Sequence, residues 1–176
     1  MRQDDPSRPK TPRQSAAPLY TPEQRLRRDS TPWTLVQGIL APLQFLVFLI
    51  SAALVVHYLM TGEGAYAATV SIVIKTITLY TIMITGSIWE KVVFDKWLFA
   101  EAFFWEDVFS FLVLALHTGY LVMLIGDFGT ERERMLLALA AYATYAINAG
   151  QFILKLRAAR LQTAAEASPG MQTAAA

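Results

Sequence analysis

The sequence predicts an all-α integral membrane protein, an antiparallel four-helix bundle with disordered N- and C-terminal tails. Hydrophobic residues make up 55% of the 176 residues and charged residues only 16%, which is too apolar for an average soluble domain. Four stretches reach the length of about 20 apolar residues that a membrane-spanning helix needs. The loops after the first and third stretches are short and contain glycine, which favours antiparallel neighbours. The predicted spans are roughly residues 33–59, 67–89, 103–125 and 135–154.

The organisation follows in order along the chain. Residues 1–31 are rich in Pro, Arg, Gln and Asp and predict a disordered arm. The arm lacks the apolar stretch of a cleavable signal peptide, so we expect the first span to direct membrane insertion. Residues 32–160 form the predicted four-helix transmembrane domain. The Ala, Gln, Thr, Pro and Gly of residues 161–176 predict a flexible tail.

The distribution of Lys and Arg predicts the orientation in the membrane. Seven of the fifteen precede the first span, two lie in the second loop and three follow the last span. The other side carries only Arg132 and Arg134, and Lys75 lies inside a span. By the positive-inside rule, both termini and the second loop face the cytoplasm.

Composition excludes several kinds of chemistry. The chain has no cysteine, which rules out disulfides, thiolate metal sites, iron–sulfur clusters and thiol nucleophiles. Two histidines argue against a metal site built by the protein alone, although one could bind the metal of a tetrapyrrole. There is no P-loop, glycine-rich dinucleotide turn, nucleophile elbow or zinc signature. Nucleic acid is not an expected partner.

Polar residues inside the spans indicate where function lies, because a charged side chain at mid-bilayer costs about 2.5 to 3.5 kcal/mol on insertion scales. Helix rise converts position into depth and sorts these residues into two layers. The outer layer, roughly 12 Å from the periplasmic helix ends, contains Ser51, Lys75, His117 and Tyr142. The cytoplasmic layer is more acidic and contains Gln37, Gln44, Glu90, Glu106, Asp107, Asn148 and Gln151.

One stripe of the third span links the two layers. Glu106, Ser110, Val113 and His117 recur at spacings of four, three and four, so they share a helix face. Asp107 points about 100° away from Glu106. We therefore expect Glu106 to face inward, and Asp107 to pair with Lys91, Lys96 or an arginine of the N-terminal arm.

Each of these residues also has a structural interpretation. Glu106 and Asp107 could simply stabilise the positive end of a helix dipole, and Lys75 could extend toward the periplasm. Asn148 and Gln151 could bridge helices. The four tryptophans fall near the cytoplasmic helix ends, where an interfacial belt is common. The alternative is that some of them, such as Trp89 and Trp105, wall a site for a flat aromatic ligand.

Three blocks of the sequence resemble a known family. They are LYTPEQRLRRDSTPWTLVQGILAPLQFLVF from Leu19, SIVIKTITLYTIMITGSIWEKVVFDKWLFAEAFFWEDVFSFLVLALHT from Ser71, and AAYATYAINAGQFILKLRAARL from Ala140. The family is the 3-vinyl (bacterio)chlorophyllide hydratases of bacteriochlorophyll biosynthesis. The resemblance implies a membrane-bound hydro-lyase that adds water across a vinyl group of the pigment to give a 1-hydroxyethyl group. It implies no separate cofactor, since the magnesium belongs to the tetrapyrrole substrate.

Such a hydration needs an acid and a base, because protonation of the vinyl group must be followed by capture of water. We expect Glu106 to act as the acid and Glu90 as the base or water anchor, with their roles exchangeable. His117 is the third catalytic candidate, either as a deeper base or as a ligand to the magnesium of the pigment. The expected substrate-binding residues are Lys75, Trp89, Lys91, Trp105, Asp107, Tyr142 and Asn148.

Two other functions stay open. One is a non-catalytic pigment carrier or assembly factor, against which the acidic layer argues, because carriage needs no buried carboxylate. The other is a haem or quinone anchor with His57 and His117 as axial ligands, although their depths differ by roughly 9 Å. The expected surroundings are a bacterial inner or intracytoplasmic photosynthetic membrane. The expected partners are the pigment, the lipid bilayer, other enzymes of bacteriochlorophyll biosynthesis and a second copy in a homodimer.

Overall fold

The computed structural model describes residues 19–166, and all regular secondary structure within them is helical. The five helices are α1 (Pro22–Ser30), α2 (Pro32–Thr61), α3 (Ala65–Phe94), α4 (Phe104–Ile125) and α5 (Glu131–Glu166). Helices α2 to α5 are each long and apolar enough to cross a membrane, and each corresponds to one predicted span. The predicted all-α four-helix membrane fold is therefore confirmed.

The four long helices form two antiparallel hairpins that pack side by side. Helix α2 lies along α3 and α4 lies along α5, while α2 also contacts α5 across the bundle. The first hairpin turns at Gly62 and Gly64, whose φ angles of 78° and 81° lie in the left-handed region that glycine adopts without strain. In the second turn, Arg134 donates to Asp127 at 2.6 Å. Short turns thus place consecutive spans next to each other.

The segment before α2 differs from the predicted disordered arm. Thr21 and Gln24 form a capping box, with the Gln24 N–H donating to Thr21 Oγ1 at 3.2 Å and the Thr21 N–H donating to Gln24 Oε1 at 2.9 Å. Tyr20 is buried against Val93 and Phe103 and fastens this segment to the end of α3. Residues 1–18 of the predicted arm and residues 167–176 of the predicted tail lie outside the described residues.

The interior contains three apolar clusters at different depths. The first lies toward the two hairpin turns and includes Val55, Ile72 and Tyr142. A second, around Leu79, Val113 and Tyr145, lies in the middle, and a third surrounds Phe103 where α3 ends and α4 begins. Many large apolar side chains on the outer faces of the helices are exposed, as lipid-facing positions require.

A chain of buried hydroxyl groups joins the two hairpins. Ser51 on α2 is hydrogen-bonded to Tyr142 on α5 at 2.5 Å and to Ser71 on α3 at 2.6 Å. Both Ser51 and Tyr142 are almost fully buried. Because lipid supplies no competing hydrogen bonds, these groups depend on one another.

The Tyr142→Phe variant is expected to weaken the packing of the hairpins, since it removes the hydroxyl that Ser51 contacts. We expect a loss of about 0.6 kcal/mol and at most about 1.7 kcal/mol, the average and the maximum measured for hydrogen bonds between membrane helices. Thermal unfolding in detergent measures this as a lower Tm. Tyr66→Phe is the matched control, because the Tyr66 side chain is exposed and should leave Tm unchanged. Equal Tm values for the two variants would show that the hydroxyl chain contributes nothing.

Candidate active site

The acidic layer lies where α3 ends and α4 begins. Glu90, Glu106 and Asp107 are only 5%, 7% and 4% exposed. The carboxyl groups of Glu90 and Asp107 lie close enough to interact with each other. A hydrogen bond between two carboxyl groups requires a proton on one of them, since two carboxylates in contact repel each other. We call Glu90 and Asp107 the carboxyl pair.

The connection between α3 and α4 folds back over the carboxyl pair. The Phe99 N–H donates to Asp107 Oδ2 at 2.7 Å, and the Ala100 N–H donates to Glu90 Oε2 at 3.3 Å. Phe99 adopts a φ of 59°, a left-handed conformation that costs a residue other than glycine about 1 to 3 kcal/mol. The backbone of this connection thus supplies one N–H donor to each carboxyl group. The donor to Asp107 comes from Phe99, the residue with the strained backbone.

Helix α3 ends at a lysine–aspartate contact. Asp95, at a φ of 61°, caps the helix, and the Lys91 ammonium donates to Asp95 Oδ1 at 2.6 Å. This hydrogen bond lowers the pKa of the exposed Asp95 carboxyl below its usual range. Lys91, an expected substrate-binding residue, is therefore engaged within its own helix end and does not contact Asp107.

The structure corrects the expected partners of the two adjacent acids on α4. Asp107, not Glu106, faces the carboxyl of Glu90. Glu106 instead accepts from the Lys155 ammonium on α5 at 2.6 Å. Lys96, another predicted partner of Asp107, lies 3.8 Å from Glu101. Successive residues on a helix point about 100° apart, so Asp107 faces α3 while Glu106 faces α5.

The remaining candidates of the cytoplasmic layer are divided between the interior and the surface. Trp89 is half-buried, donates to Thr34 Oγ1 at 2.9 Å and packs edge-on against Phe103. Asn148 is buried and donates to Ser110 Oγ at 2.8 Å, so it bridges α4 and α5. Trp105 is 66% exposed and faces outward.

The outer layer is assembled as its depth predicted, and Ser51, Lys75, His117 and Tyr142 are each no more than 2% exposed. The Lys75 ammonium lies 3.8 Å from the centre of the Tyr145 ring and has no hydrogen-bond partner among the described residues. His117 Nδ1 lies 2.8 Å from the Val113 carbonyl, so Nδ1 carries the hydrogen. Its ring packs 5.7 Å from that of Tyr142.

The two layers are separated along the bundle. The middle apolar cluster of Leu79, Val113 and Tyr145 lies between them. His117 lies eleven positions after Glu106 on α4, which is roughly 16 Å of helix. His57 is exposed near the end of α2, whereas His117 is buried, so the two histidines do not face one site.

Metal ligation and cavity size both bear on what the site can bind. Among residues 19–166, no group of three or more His, Asp or Glu side chains is placed to hold a metal ion. A cavity of about 240 Å³ lies at the opposite end of the bundle. Its lining consists of Tyr66, Thr69, Tyr120, Leu124, Glu131, Arg134 and Met135. Ligand pockets usually measure about 300 to 1,000 Å³, so this cavity does not suit a large ring.

Two contributors to the site were missed in the sequence. The sequence pattern identifies Lys155 only as a positive charge beyond the last span. Helix α5 in fact continues to Glu166, which places the Lys155 ammonium within reach of Glu106. One further turn of the helical pattern after Gln151 would have placed it there. The Phe99 and Ala100 amides have no sequence signal, because any residue supplies an N–H.

Known proteins match most of this chain. The family model described as 2-vinyl bacteriochlorophyllide hydratase (BCHF) matches residues 20–158. The chain is 65% identical over 161 residues to the 2-vinyl bacteriochlorophyllide hydratase of Rhodobacter capsulatus, with 92% of each chain covered. It is 68% identical over 153 residues to the protein of that name from Cereibacter sphaeroides, covering 85% of this chain and 95% of the relative. No solved structure matches the chain.

The family model covers almost the same stretch as the one from Leu19 to Leu161 along which the three resembling blocks lie. The match includes the carboxyl pair, Lys155, the whole of α2 to α4 and most of α5. The chain therefore belongs to the 2-vinyl bacteriochlorophyllide hydratase family.

Proposed function

We propose that this chain adds water to the vinyl group, numbered 2 or 3 by convention, of a bacteriochlorophyllide or chlorophyllide during bacteriochlorophyll synthesis. The product is the 1-hydroxyethyl pigment, and the enzyme class is carbon–oxygen hydro-lyase. Membership of a hydratase family across most of the chain supports the reaction. The observation that carries the assignment of the site is the buried pairing of the Glu90 and Asp107 carboxyl groups, each of which accepts from a backbone amide.

The product dictates what the site must supply. The hydroxyl group is on the carbon next to the macrocycle, so the proton must go to the terminal vinyl carbon. The π electrons form the new C–H bond, and the positive charge that remains is delocalised into the ring. Water then attacks the charged carbon and loses a proton. The reaction therefore needs one proton donor and one proton acceptor.

The carboxyl pair meets both needs with a single shared proton. It donates that proton to the terminal vinyl carbon and becomes fully ionised. When the water oxygen bonds to the cationic carbon, the pair accepts one of the water protons and returns to its starting state. The pigment has then gained H and OH, and the enzyme is unchanged. Glu90 keeps its expected role as base or water anchor, and Asp107 replaces Glu106 as its partner.

Neighbouring groups stabilise the ionised pair. The Phe99 and Ala100 amides already donate to the two carboxyl groups, so they need not reorganise as charge develops. Lys155 supplies a positive charge beside Glu106, adjacent to Asp107, and lies 5.1 Å from the centre of the Phe103 ring. In this scheme Glu106 holds Lys155 in place. The catalytic role of His117 and the substrate contacts of Lys75, Tyr142 and Asn148 stay predictions.

The placement in the membrane is part of the proposal. The Lys and Arg residues concentrate at the end of the bundle that holds the acidic layer. With both termini cytoplasmic, the carboxyl pair faces the cytoplasmic leaflet of a photosynthetic membrane. Water and the propionate of the pigment then meet at the same interface.

Oxygen labelling tests the reaction itself. Membranes containing this protein are incubated anaerobically with 3-vinyl chlorophyllide, either in ordinary water or in heavy-oxygen water. The pigment is then extracted and its mass is measured by mass spectrometry. We expect a mass gain of one water that carries the solvent label. Tight pigment binding without a mass change would contradict the hydratase proposal and support a carrier.

Replacement of the carboxyl pair tests the mechanism. Glu90→Gln and Asp107→Asn keep the side-chain shape but remove proton transfer, so each should lower turnover by about 10²- to 10⁴-fold while pigment binding persists. The double variant should be little worse than either single variant, because the two residues act as a unit. Glu101→Gln, a control at an exposed carboxylate of the same connection, should leave turnover unchanged. A wild-type rate in either member of the pair would reject this mechanism.

Lys155 offers a separate test of charge stabilisation. Lys155→Met keeps an unbranched side chain beside Phe103 but removes the charge, and should lower kcat about tenfold, or about 1.4 kcal/mol. Lys155→Arg should retain most of the rate. The control is Arg157→Met, at an exposed position two residues further along. If Lys155→Met and Arg157→Met have the same kcat, the positive charge at Lys155 does not act on the site.

A further inference from the structure

The carboxyl pair is enclosed by close packing. Glu90 and Asp107 are 5% and 4% exposed, and Val93, Ala100 and Phe103 beside them are almost fully buried. The cavity of about 240 Å³ lies at the opposite end of the bundle. A flat ring the size of a tetrapyrrole must therefore approach the pair against an outer face of the protein.

One outer face beside the pair is built from aromatic rings in mutual contact. Phe99 lies 5.5 Å from Phe111 with the rings nearly parallel, and 5.7 Å from Phe104. Phe104 in turn lies 5.5 Å from Trp105 with the two ring planes nearly perpendicular, so Trp105 stands at the edge of this surface. All four rings are between 39% and 66% exposed. We call Phe99, Phe104, Trp105 and Phe111 the aromatic platform.

The platform is attached directly to Asp107. The Phe99 amide donates to Asp107 Oδ2 at 2.7 Å. Phe111 lies one helical turn after Asp107 on α4, so the two residues share a side of the helix. A ring lying on the platform would therefore have one edge at the position where the carboxyl pair can protonate a substituent.

The platform differs from an ordinary interfacial belt. Belts consist mainly of Trp and Tyr, whose polar groups face the headgroups. Three of the four platform residues are Phe, which has no polar group. The left-handed backbone of Phe99 also costs about 1 to 3 kcal/mol, and such strain clusters at ligand sites. Anchoring to lipid requires neither feature.

We propose that the pigment macrocycle docks on the aromatic platform from the lipid side, stacked on the nearly parallel rings of Phe99 and Phe111 and bordered by Phe104 and Trp105, with its vinyl edge toward Asp107. This inference rests on the proposed function and names the surface that binds its substrate. The macrocycle is flat and apolar, so it partitions into lipid and stacks with an offset on aromatic rings. Lys96, three residues before Phe99, is half exposed, and its described ion pair is a long one of 3.8 Å to Glu101. It is the cation that binds the propionate carboxylate.

Pigment binding and turnover are measured separately on the full chain in lipid nanodiscs, with chlorophyllide a as the probe. Phe99→Leu/Phe111→Leu and Trp105→Leu keep an apolar surface but remove the rings. We expect each to raise Kd at least about tenfold. The matched controls are Phe45→Leu and Phe128→Leu, since both side chains are exposed aromatics far from the pair along the chain. Circular dichroism and Tm show that each variant is folded.

The outcomes separate this inference from the proposed function. Wild-type Kd in the platform variants, or an equal rise in the two controls, would overturn platform docking even if hydration is observed. If the wild type binds pigment without hydrating it and the platform variants lose binding, docking stands and the hydratase proposal fails.

The propionate contact provides a second measurement that does not require changes to the platform. The wild type should bind chlorophyllide a about tenfold more tightly than its methyl ester, which lacks the carboxylate charge. Lys96→Gln should bind the acid and the ester equally. The matched control Arg157→Gln should discriminate between them as the wild type does. If Lys96→Gln still discriminates, the assignment of the propionate to Lys96 is wrong.

Discussion

The lack of water inside a bilayer governs this structure, because a polar group that finds no partner there is costly to bury. The polar groups of the two layers have different kinds of partners. In the outer layer, hydroxyl groups satisfy one another, as in the Ser51–Tyr142 contact. In the acidic layer, backbone amides from a folded-back connection and a lysine from another helix surround three carboxyl groups. The arrangement that keeps these acids in an apolar bundle is the one that we propose for catalysis.

A shared proton allows the same two carboxyl groups to serve as both the acid and the base of the proposed mechanism. A lone buried acid would need a separate base for the attacking water and a route for returning the proton. Two carboxyl groups in contact hold one proton between them and can accept it back at the end of the cycle. Fixed donors from Phe99 and Ala100 limit the reorganisation needed when both groups are ionised.

Sequence patterns predicted the depth of residues in the membrane better than they predicted which side chains contact each other. Apolar length predicted all four spans, and helix rise brought Lys75, His117 and Tyr142 to one level, because both depend only on position along one helix. The stripe from Glu106 to His117 is buried throughout. Helical angle could not say which neighbouring helix each face meets, so the partners of Glu106 and Asp107 were exchanged. Helix α1 was missed because polar composition outweighed the short capping signal at Thr21.

The length of α5 has a consequence for how the enzyme sits in its membrane. Its 36 residues extend about 54 Å, well beyond a hydrocarbon core of about 30 Å. The excess carries Arg157 and Arg160, whose charges cannot enter the hydrocarbon without a large penalty. Arg157 and Arg160 therefore limit how deeply α5 can enter the membrane. This sets the depth of Lys155, and with it the depth of the acidic layer relative to the lipid headgroups.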